Sequence, residues 1–181
     1  MTASETKLKG CFIIDPRVFQ DDRGYFFESF NQETFNNLIG KTVSFVQDNE
    51  SFSSRGVIRG LHFQIGEFAQ AKLVRVVKGA VLDVAVDIRP ESDTFGQYVA
   101  VELNEKNKKQ LFVPRGFAHG FSVLSDTAIF SYKCDNFYNK KAEAGIIYND
   151  PSLNIDWKIK KEEEQLSEKD VILPTIEQYF K

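Results

Sequence analysis

The sequence predicts an all-β, antiparallel sandwich or barrel, and three observations carry that expectation. Apolar and polar residues alternate in short runs between Lys72 and Cys134, and turn signals separate the runs about every ten residues. Phenylalanine is abundant, at 17 residues against one tryptophan and one methionine, and much of it falls in those alternating runs. It reads first as sandwich core and second as a stacking surface for a ligand ring. The 181 residues contain no repeat, low-complexity tract or Pro/Ser-rich linker, so 1–181 reads as a single domain.

The elements follow in order. Cys11 to Ile14 reads as a strand closed by Asp15-Pro16, and Asp21-Asp22-Arg23-Gly24 as a turn. Tyr25 to Phe30 reads as the next strand. Asn31 has the character of a helix N-cap, with Phe35, Leu38 and Ile39 facing inward and Gly40 as the stop. Lys72 to Val77 is an apolar strand turned at Lys78-Gly79. From Val81 to Ile88 the period is two, with Leu82, Val84, Val86 and Ile88 on one face and Asp83 and Asp87 on the other. Tyr98–Leu103, Gln110–Val113, Phe117–Leu124 and Thr127–Cys134 continue the pattern. Lys160 to Leu166 reads as a charged, exposed helix, so the expected helices are few, short and mainly C-terminal.

Composition narrows the function classes. With 42% hydrophobic and 27% charged residues, the chain can bury a sizeable core. A net charge of -3 gives no general attraction to nucleic acid or anionic membrane, so any anion site must be a local cluster. No apolar run approaches a membrane span, and polar Met1–Lys9 lacks a signal-peptide core. Cys11 and Cys134 have no metal-ligand spacing and read as free thiols of a cytoplasmic protein.

The only two histidines lie in Arg59-Gly60-Leu61-His62-Phe63-Gln64 and Pro114-Arg115-Gly116-Phe117-Ala118-His119. Imidazole is the side chain best suited to moving protons near neutral pH. His62 reads either as an acid–base group or as a buried histidine satisfied by a carbonyl. His119 shares parity with Phe117 and Phe121 and reads as core or as a site residue. A metal-binding sandwich usually brings two histidines one residue apart; here Gln64 occupies the second position, so no histidine-rich metal centre is expected. Tyr132 reads as core or as an acid of high pKa. Lys72 reads as a strand-end lysine or as an ammonium that meets developing negative charge. Arg23, Arg59 and Lys169 have the chemistry of a phosphate clamp, or of ordinary surface charges. Arg59 falls on the parity opposite to His62, so both line one cavity only if the strand begins or bulges between them. Asp170 reads as a turn residue or as the carboxylate that orients a histidine.

At these residues the chain resembles the dTDP-4-dehydrorhamnose 3,5-epimerases, cupin-superfamily jelly-rolls. The matching stretches include Phe26-Phe27-Glu28-Ser29-Phe30, Phe45-Val46-Gln47-Asp48-Asn49, Val57 to Gln64, Lys72 to Arg75, Asp83 to Arg89, Val113 to Phe121, Tyr132-Lys133 and Leu166 to Asp170. Phe112 and Tyr148 stand where tryptophan is frequent in that family, and both keep an aromatic ring.

The resemblance implies a jelly-roll (cupin) fold and an isomerase acting on a dTDP-4-keto-6-deoxyhexose in dTDP-L-rhamnose biosynthesis. It implies no metal or organic cofactor. His62 would remove the sugar C–H protons with Asp170 orienting it, Tyr132 would return a proton from the opposite face, and Lys72 would steady the enolate oxygen. Arg23, Glu28, Gln47, Asp48, Asn49, Arg59, His119, Glu143 and Lys169 would bind the nucleotide sugar, with Phe26 or Tyr138 available to stack on the base. Arg23 and Glu28 would approach the neighbouring subunit's site in a homodimer. The alternatives are a relative that inverts only C3 or C5, and a non-catalytic jelly-roll that binds a nucleotide sugar or glycan.

Overall fold

A computed structural model describes residues 1–181, and in it two antiparallel sheets face one another in the jelly-roll manner. In chain order the strands begin with β1 (Thr2–Glu5), β2 (Phe12–Asp15), β3 (Val18–Asp21) and β4 (Gly24–Phe27). After helix α1 (Gln32–Ile39) come β5 (Gln47–Ser54), β6 (Ile58–Gln64), β7 (Lys72–Lys78), β8 (Ala80–Asp87) and β9 (Tyr98–Asn104). The last are β10 (Gln110–Val113), β11 (Phe117–Val123), β12 (Thr127–Cys134) and β13 (Glu143–Gly145), before a short helix α2 (Ile176–Tyr179). One sheet has the order β1-β2-β10-β7-β12-β5 and the other β13-β6-β11-β8-β9, while β3 and β4 form a separate hairpin.

Three apolar layers hold this arrangement. Between the sheets, Val74, Val76 and Phe130 pack with Ala85, Phe117 and Phe121, and the Phe121 and Phe130 rings stack at 4.3 Å. Outside the first sheet, Phe35 and Ile39 of α1 cover Ile14, Leu73 and Phe112. Helix α1 forms as expected: Asn31 accepts from Thr34 N–H at 3.0 Å, and Gly40 ends the helix at a φ of 65° that favours glycine. Outside the second sheet, Ile146, Leu153, Trp157 and Ile176 of the C-terminal segment cover Ile58, Leu61, Val84 and Val86. Fully burying one such side chain contributes about 1.5–3 kcal/mol. That cover explains β8: Leu82, Val84 and Val86 do share one face, but Asp83 and Asp87 on the other are buried as well.

The structure corrects two expectations and adds three strands for which the sequence carries no signal. The strand expected over Tyr25–Phe30 ends at Phe27. The polar segments β1, β3 and β5 are strands that carry no run of alternating apolar residues. Lys160–Leu166 is not a helix beyond one 3₁₀ turn over Lys161–Glu163. Its chain runs extended because Gln165 N–H bonds Gly56 C=O at 2.9 Å and Ile58 N–H bonds Gln165 C=O at 3.0 Å. A helix would forfeit both. No helix is long and apolar enough to cross a membrane.

Candidate active site

The extended C-terminal segment sets one wall of a cavity of about 540 Å³ between the sheets. Anchored at Gln165, it brings Asp170 against His62 of β6, with Nε2 and Oδ1 2.6 Å apart. The Asp170 side chain is 3% exposed and the His62 side chain 26%, so the imidazole separates the carboxylate from the open space. Burial alone would raise the Asp170 pKa. The His62 hydrogen bond and charge, with Ser167 and Lys169, outweigh it and hold the carboxyl below its usual range. An ionised carboxylate only accepts, so in the neutral imidazole Nε2 carries the proton and Nδ1 presents the lone pair. Nδ1 has no partner in the chain and is open to the cavity.

The facing wall comes from the other sheet. Tyr132 of β12 and Lys72 of β7 sit on neighbouring strands, with the Lys72 ammonium 5.9 Å from the centre of the Tyr132 ring. The Tyr132 hydroxyl bonds to no carbonyl and faces the cavity, which favours the site reading over the core reading. Burial pushes the Tyr132 phenol above its ordinary pKa, so it stays a proton donor. Burial also lowers the Lys72 pKa, against the opposite pull of Cys134, Asp83 and Glu143.

Arg59 and His62 line the same cavity despite their opposite parity. His119 of β11 pairs with His62, and Phe121 with Arg59, so Gly60 and Leu61 on β6 stand against Gly120 alone. This is a β-bulge, and the extra residue turns both side chains to one side. The Gly60–Leu61 peptide is cis. Arg59 Nε donates to Ser53 Oγ at 3.1 Å, which leaves its terminal nitrogens free.

His119 is both buried and part of the site. Its Nε2 meets Asp83 Oδ1 at 2.9 Å and Oδ2 at 3.1 Å, its ring stacks on Phe130, and it lines the cavity floor. Asp83, fully buried behind the cavity, holds His119 and is a supporting residue that sequence reasoning missed; the signal available was an aspartate in phase with inward-facing positions of β8.

At the mouth, Glu143 of β13 accepts from Tyr138 Oη at 2.8 Å and from Lys169 Nζ at 2.5 Å. The Lys169 contact holds Glu143 below its ordinary pKa and raises that of Lys169. Gln47 and Asn49 line an adjoining recess that shares His62, Lys72 and Tyr132 with the main cavity. Three expected binding residues lie elsewhere in the single chain. Asp48 points off the outer face of β5 and pairs with Lys133 at 2.9 Å. Arg23 sits at the tip of the β3–β4 hairpin, paired with Asp21 and 90% exposed. Glu28 is exposed and accepts from Asn31. No three His, Cys, Asp or Glu side chains cluster as metal donors.

Known proteins of similar sequence and fold share one description. A family model described as dTDP-4-dehydrorhamnose 3,5-epimerase matches residues 5–178. An Escherichia coli K12 protein of that name is 57% identical over 157 residues, 87% of this chain and 85% of that protein. The crystal structure of dTDP-4-dehydrorhamnose 3,5-epimerase from Elizabethkingia anophelis NUHP1 superposes with a TM-score of 0.95 at 56% identity, covering 98% of this chain and 97% of that one. A Legionella pneumophila dTDP-6-deoxy-D-glucose-3,5-epimerase in complex with dTDP-4-keto-L-rhamnose superposes at 0.93 and 47% identity, covering 97% and 93%. Matched over nearly its whole length in sequence and in fold, the chain belongs to the dTDP-4-dehydrorhamnose 3,5-epimerase family.

Proposed function

We propose that this chain inverts C3 and C5 of dTDP-4-dehydro-6-deoxy-D-glucose to give dTDP-4-dehydro-L-rhamnose, with His62 as base and Tyr132 as acid. The observation that carries the assignment of roles is the opposition of the two groups. His62 offers a free Nδ1 from one sheet, and Tyr132 offers an unbonded hydroxyl from the facing sheet, across one cavity. Inversion needs that geometry, because a proton must leave one face of a carbon and arrive on the other.

The chemistry sets the remaining requirements. C3 and C5 both flank the C4 ketone, so each C–H is acidic only because its electron pair passes onto the ketone oxygen. His62 Nδ1 takes the proton, the pair forms the enolate, and Tyr132 protonates the same carbon from the opposite side. Each pKa unit of mismatch between carbon acid and base costs about 1.4 kcal/mol. One fixed donor at an oxyanion typically supplies about 2.7–4 kcal/mol. Lys72 lies beside Tyr132 to serve as that donor, and its partial desolvation strengthens the contact. Arg59 and Lys169 supply the local positive charge for the diphosphate, and His119, Glu143, Gln47 and Asn49 supply polar contacts to the rest of the ligand. Binding energy from the remote nucleotide holds the reacting ring in place.

The proposal extends to a homodimer in which Arg23 and Glu28, remote from the cavity of their own chain, complete the neighbour's site. The exposed Phe19, Tyr25 and Phe26 on the β3–β4 hairpin support it. Asp48, turned outward, is placed with them as a residue that needs the second subunit to reach ligand. Mixing inactive His62→Ala and Arg23→Ala chains tests it: random exchange restores about a quarter of the sites if sites are shared between subunits, and none if they are not. Cytoplasmic residence is part of the same reading and is supported by two free, buried thiols, Cys11 and Cys134.

NMR of the 4-keto sugar with the protein in D2O tests the activity. Deuterium at both C3 and C5, with formation of the L-sugar, is the expected result. Deuterium at one carbon selects a monoepimerase, and binding with no exchange selects a non-catalytic nucleotide-sugar binder.

A further inference from the structure

The turn that follows β12, Asn136 to Asn139, has almost no main-chain partners. Within it only the Asn139 carbonyl joins a main-chain hydrogen bond, from Ala142 N–H. Side-chain amides take most of the others: Gln70 Nε2 donates to Asn136 C=O at 2.8 Å, and Asn136 Oδ1 accepts from Phe137 N–H at 2.9 Å. Gln64 Oε1 accepts from Asn139 N–H at 2.7 Å, while Gln64 Nε2 donates to Phe137 C=O at 3.4 Å and to Phe68 C=O at 3.3 Å. Gln47 Oε1 accepts from Tyr138 N–H at 3.0 Å. Each amide's orientation follows from its partners, since an N–H must face an oxygen.

The two glutamines come from different sheets. Gln64 ends β6, two residues after His62, and is buried; Gln47 opens β5 on the facing side. Tyr138 is therefore gripped from both sheets at the rim of the cavity, where its hydroxyl meets Glu143 and, through it, Lys169. Gln64 also pairs in register with Glu143 across β6 and β13. Gln64 thus joins the strand of the proposed base to the rim, its side chain holding the turn that carries Tyr138 and its backbone standing opposite Glu143, which in turn holds Lys169.

We propose that Gln64 is a positioning residue for the nucleotide sugar: it fixes the Asn136–Asn139 turn so that Tyr138, Glu143 and Lys169 meet the ligand in register with His62. The inference rests on reading the cavity as a nucleotide-sugar site. Its bonds favour this over a purely structural role. The turn it holds is exposed at Phe137 and Tyr138, at 63% and 53%, so water can satisfy the freed main-chain groups if the amide is lost. The cost then falls on the order of the turn, and hence on ligand binding, more than on the fold.

The test compares Gln64→Leu and Gln64→Glu with wild type, measuring turnover of the 4-keto sugar and calorimetric binding of dTDP. KM and the dTDP Kd are expected to rise about tenfold in Gln64→Leu, with kcat within about threefold and the pH profile of kcat unmoved. Gln64→Glu keeps the acceptor for Asn139 and loses the donors, so its KM is expected between the two; it also carries the test if the leucine variant does not fold. In a Tyr138→Ala background, Gln64→Leu is expected to add less than about twofold, because the ring through which the turn reaches Glu143 and Lys169 is gone. Unchanged KM in both variants, full additivity with Tyr138→Ala, or a fall in kcat at constant KM would each overturn the proposal. Wild type that binds dTDP but does not turn over the keto sugar would refute the epimerase reading, while the dTDP affinities would still decide the role of Gln64.

Discussion

Gly60 and Gly120 meet backbone to backbone where β6 and β11 run side by side. A Cβ on Gly60 would lie 2.7 Å from the Gly120 Cα, and a Cβ on Gly120 would lie 2.5 Å from the Arg59 carbonyl oxygen. These contacts sit at the bulge that turns Arg59 and His62 into one cavity. Gly60 also has a φ of 125°, which excludes other residues for conformational reasons. Gly120 does not, so Gly120→Ala isolates the steric effect. The substitution is expected to destabilise the fold by about 1–3 kcal/mol, as overpacking does, and to lower kcat/KM by moving Arg59 and His62 apart. Thermal melting and steady-state kinetics check it, and wild-type values in both would remove the bulge from the account of the site.

Asp170→Asn is expected to reduce kcat far more than it reduces substrate binding. An amide can donate to His62 Nε2, which would place the imidazole proton on Nδ1, the atom proposed to receive the sugar proton. A loss of about 10²–10⁴-fold, the usual range for a positioned acid–base group, is expected in solvent deuterium exchange at C3 and C5. The sign of the stability effect follows from the lowered folded-state pKa of Asp170. Above the unfolded carboxylate's pKa the hydrogen bond from His62 to the ionised carboxylate contributes in full. As pH falls through the lower folded value, both states become protonated and the contribution disappears. The difference in Tm between wild type and Asp170→Asn should therefore be largest near neutral pH and shrink in acid.

Legibility tracked the hydrophobic signal. Strands β8, β9 and β12 alternate strongly, and their expected limits lie within one or two residues of the observed ones. Strand β5 reads Gln-Asp-Asn-Glu-Ser-Phe-Ser-Ser and lies at a sheet edge, so it has no apolar period to detect, although Gln47, Asn49 and Ser51 line the site. The charged stretch looks helical locally, but after one 3₁₀ turn it runs extended at Gln165, whose hydrogen bonds go to Gly56 and Ile58, far away in sequence. The same distance hid the pairing of His62 with Asp170, which local pattern left open and the family resemblance supplied. Asp83 stayed unassigned because the face opposite Leu82 is not solvent; it lies between two sheets, and only packing reveals that.

Tyr132→Phe separates proton removal from inversion. Phenylalanine keeps the ring packing against Phe130 and loses only the hydroxyl that faces the cavity. His62 and Lys72 remain, so enolate formation and return of the proton to the original face should continue. Deuterium should still enter the recovered substrate, while formation of the inverted sugar falls by about 10²-fold or more. Because burial raises the Tyr132 pKa, the phenol stays protonated beyond its ordinary range. Wild-type inversion should therefore persist into alkaline solution as far as Tyr132 governs it. Equal losses of exchange and inversion in Tyr132→Phe would count against separate base and acid.

Lys72→Met sets function against stability. Burial lowers the Lys72 pKa from its ordinary 10.5 even though Cys134, Asp83 and Glu143 pull the other way, so the desolvation penalty exceeds the charge attraction. Below the folded-state pKa the lysine is protonated in both states, and the fold carries that penalty in full. Between the folded and unfolded values the unfolded chain holds more protons, so stability rises with pH through that window. Methionine has a similar length and no charge. It should raise the Tm at neutral pH, by about 2–4 °C for each kcal/mol recovered, and the advantage should narrow as pH approaches 10.5. Turnover should meanwhile fall by about 10²–10³-fold, the size of one lost oxyanion donor. A variant less stable at neutral pH would mean that the ammonium is held by attraction, and wild-type turnover in the variant would mean that its place in the cavity is not catalytic.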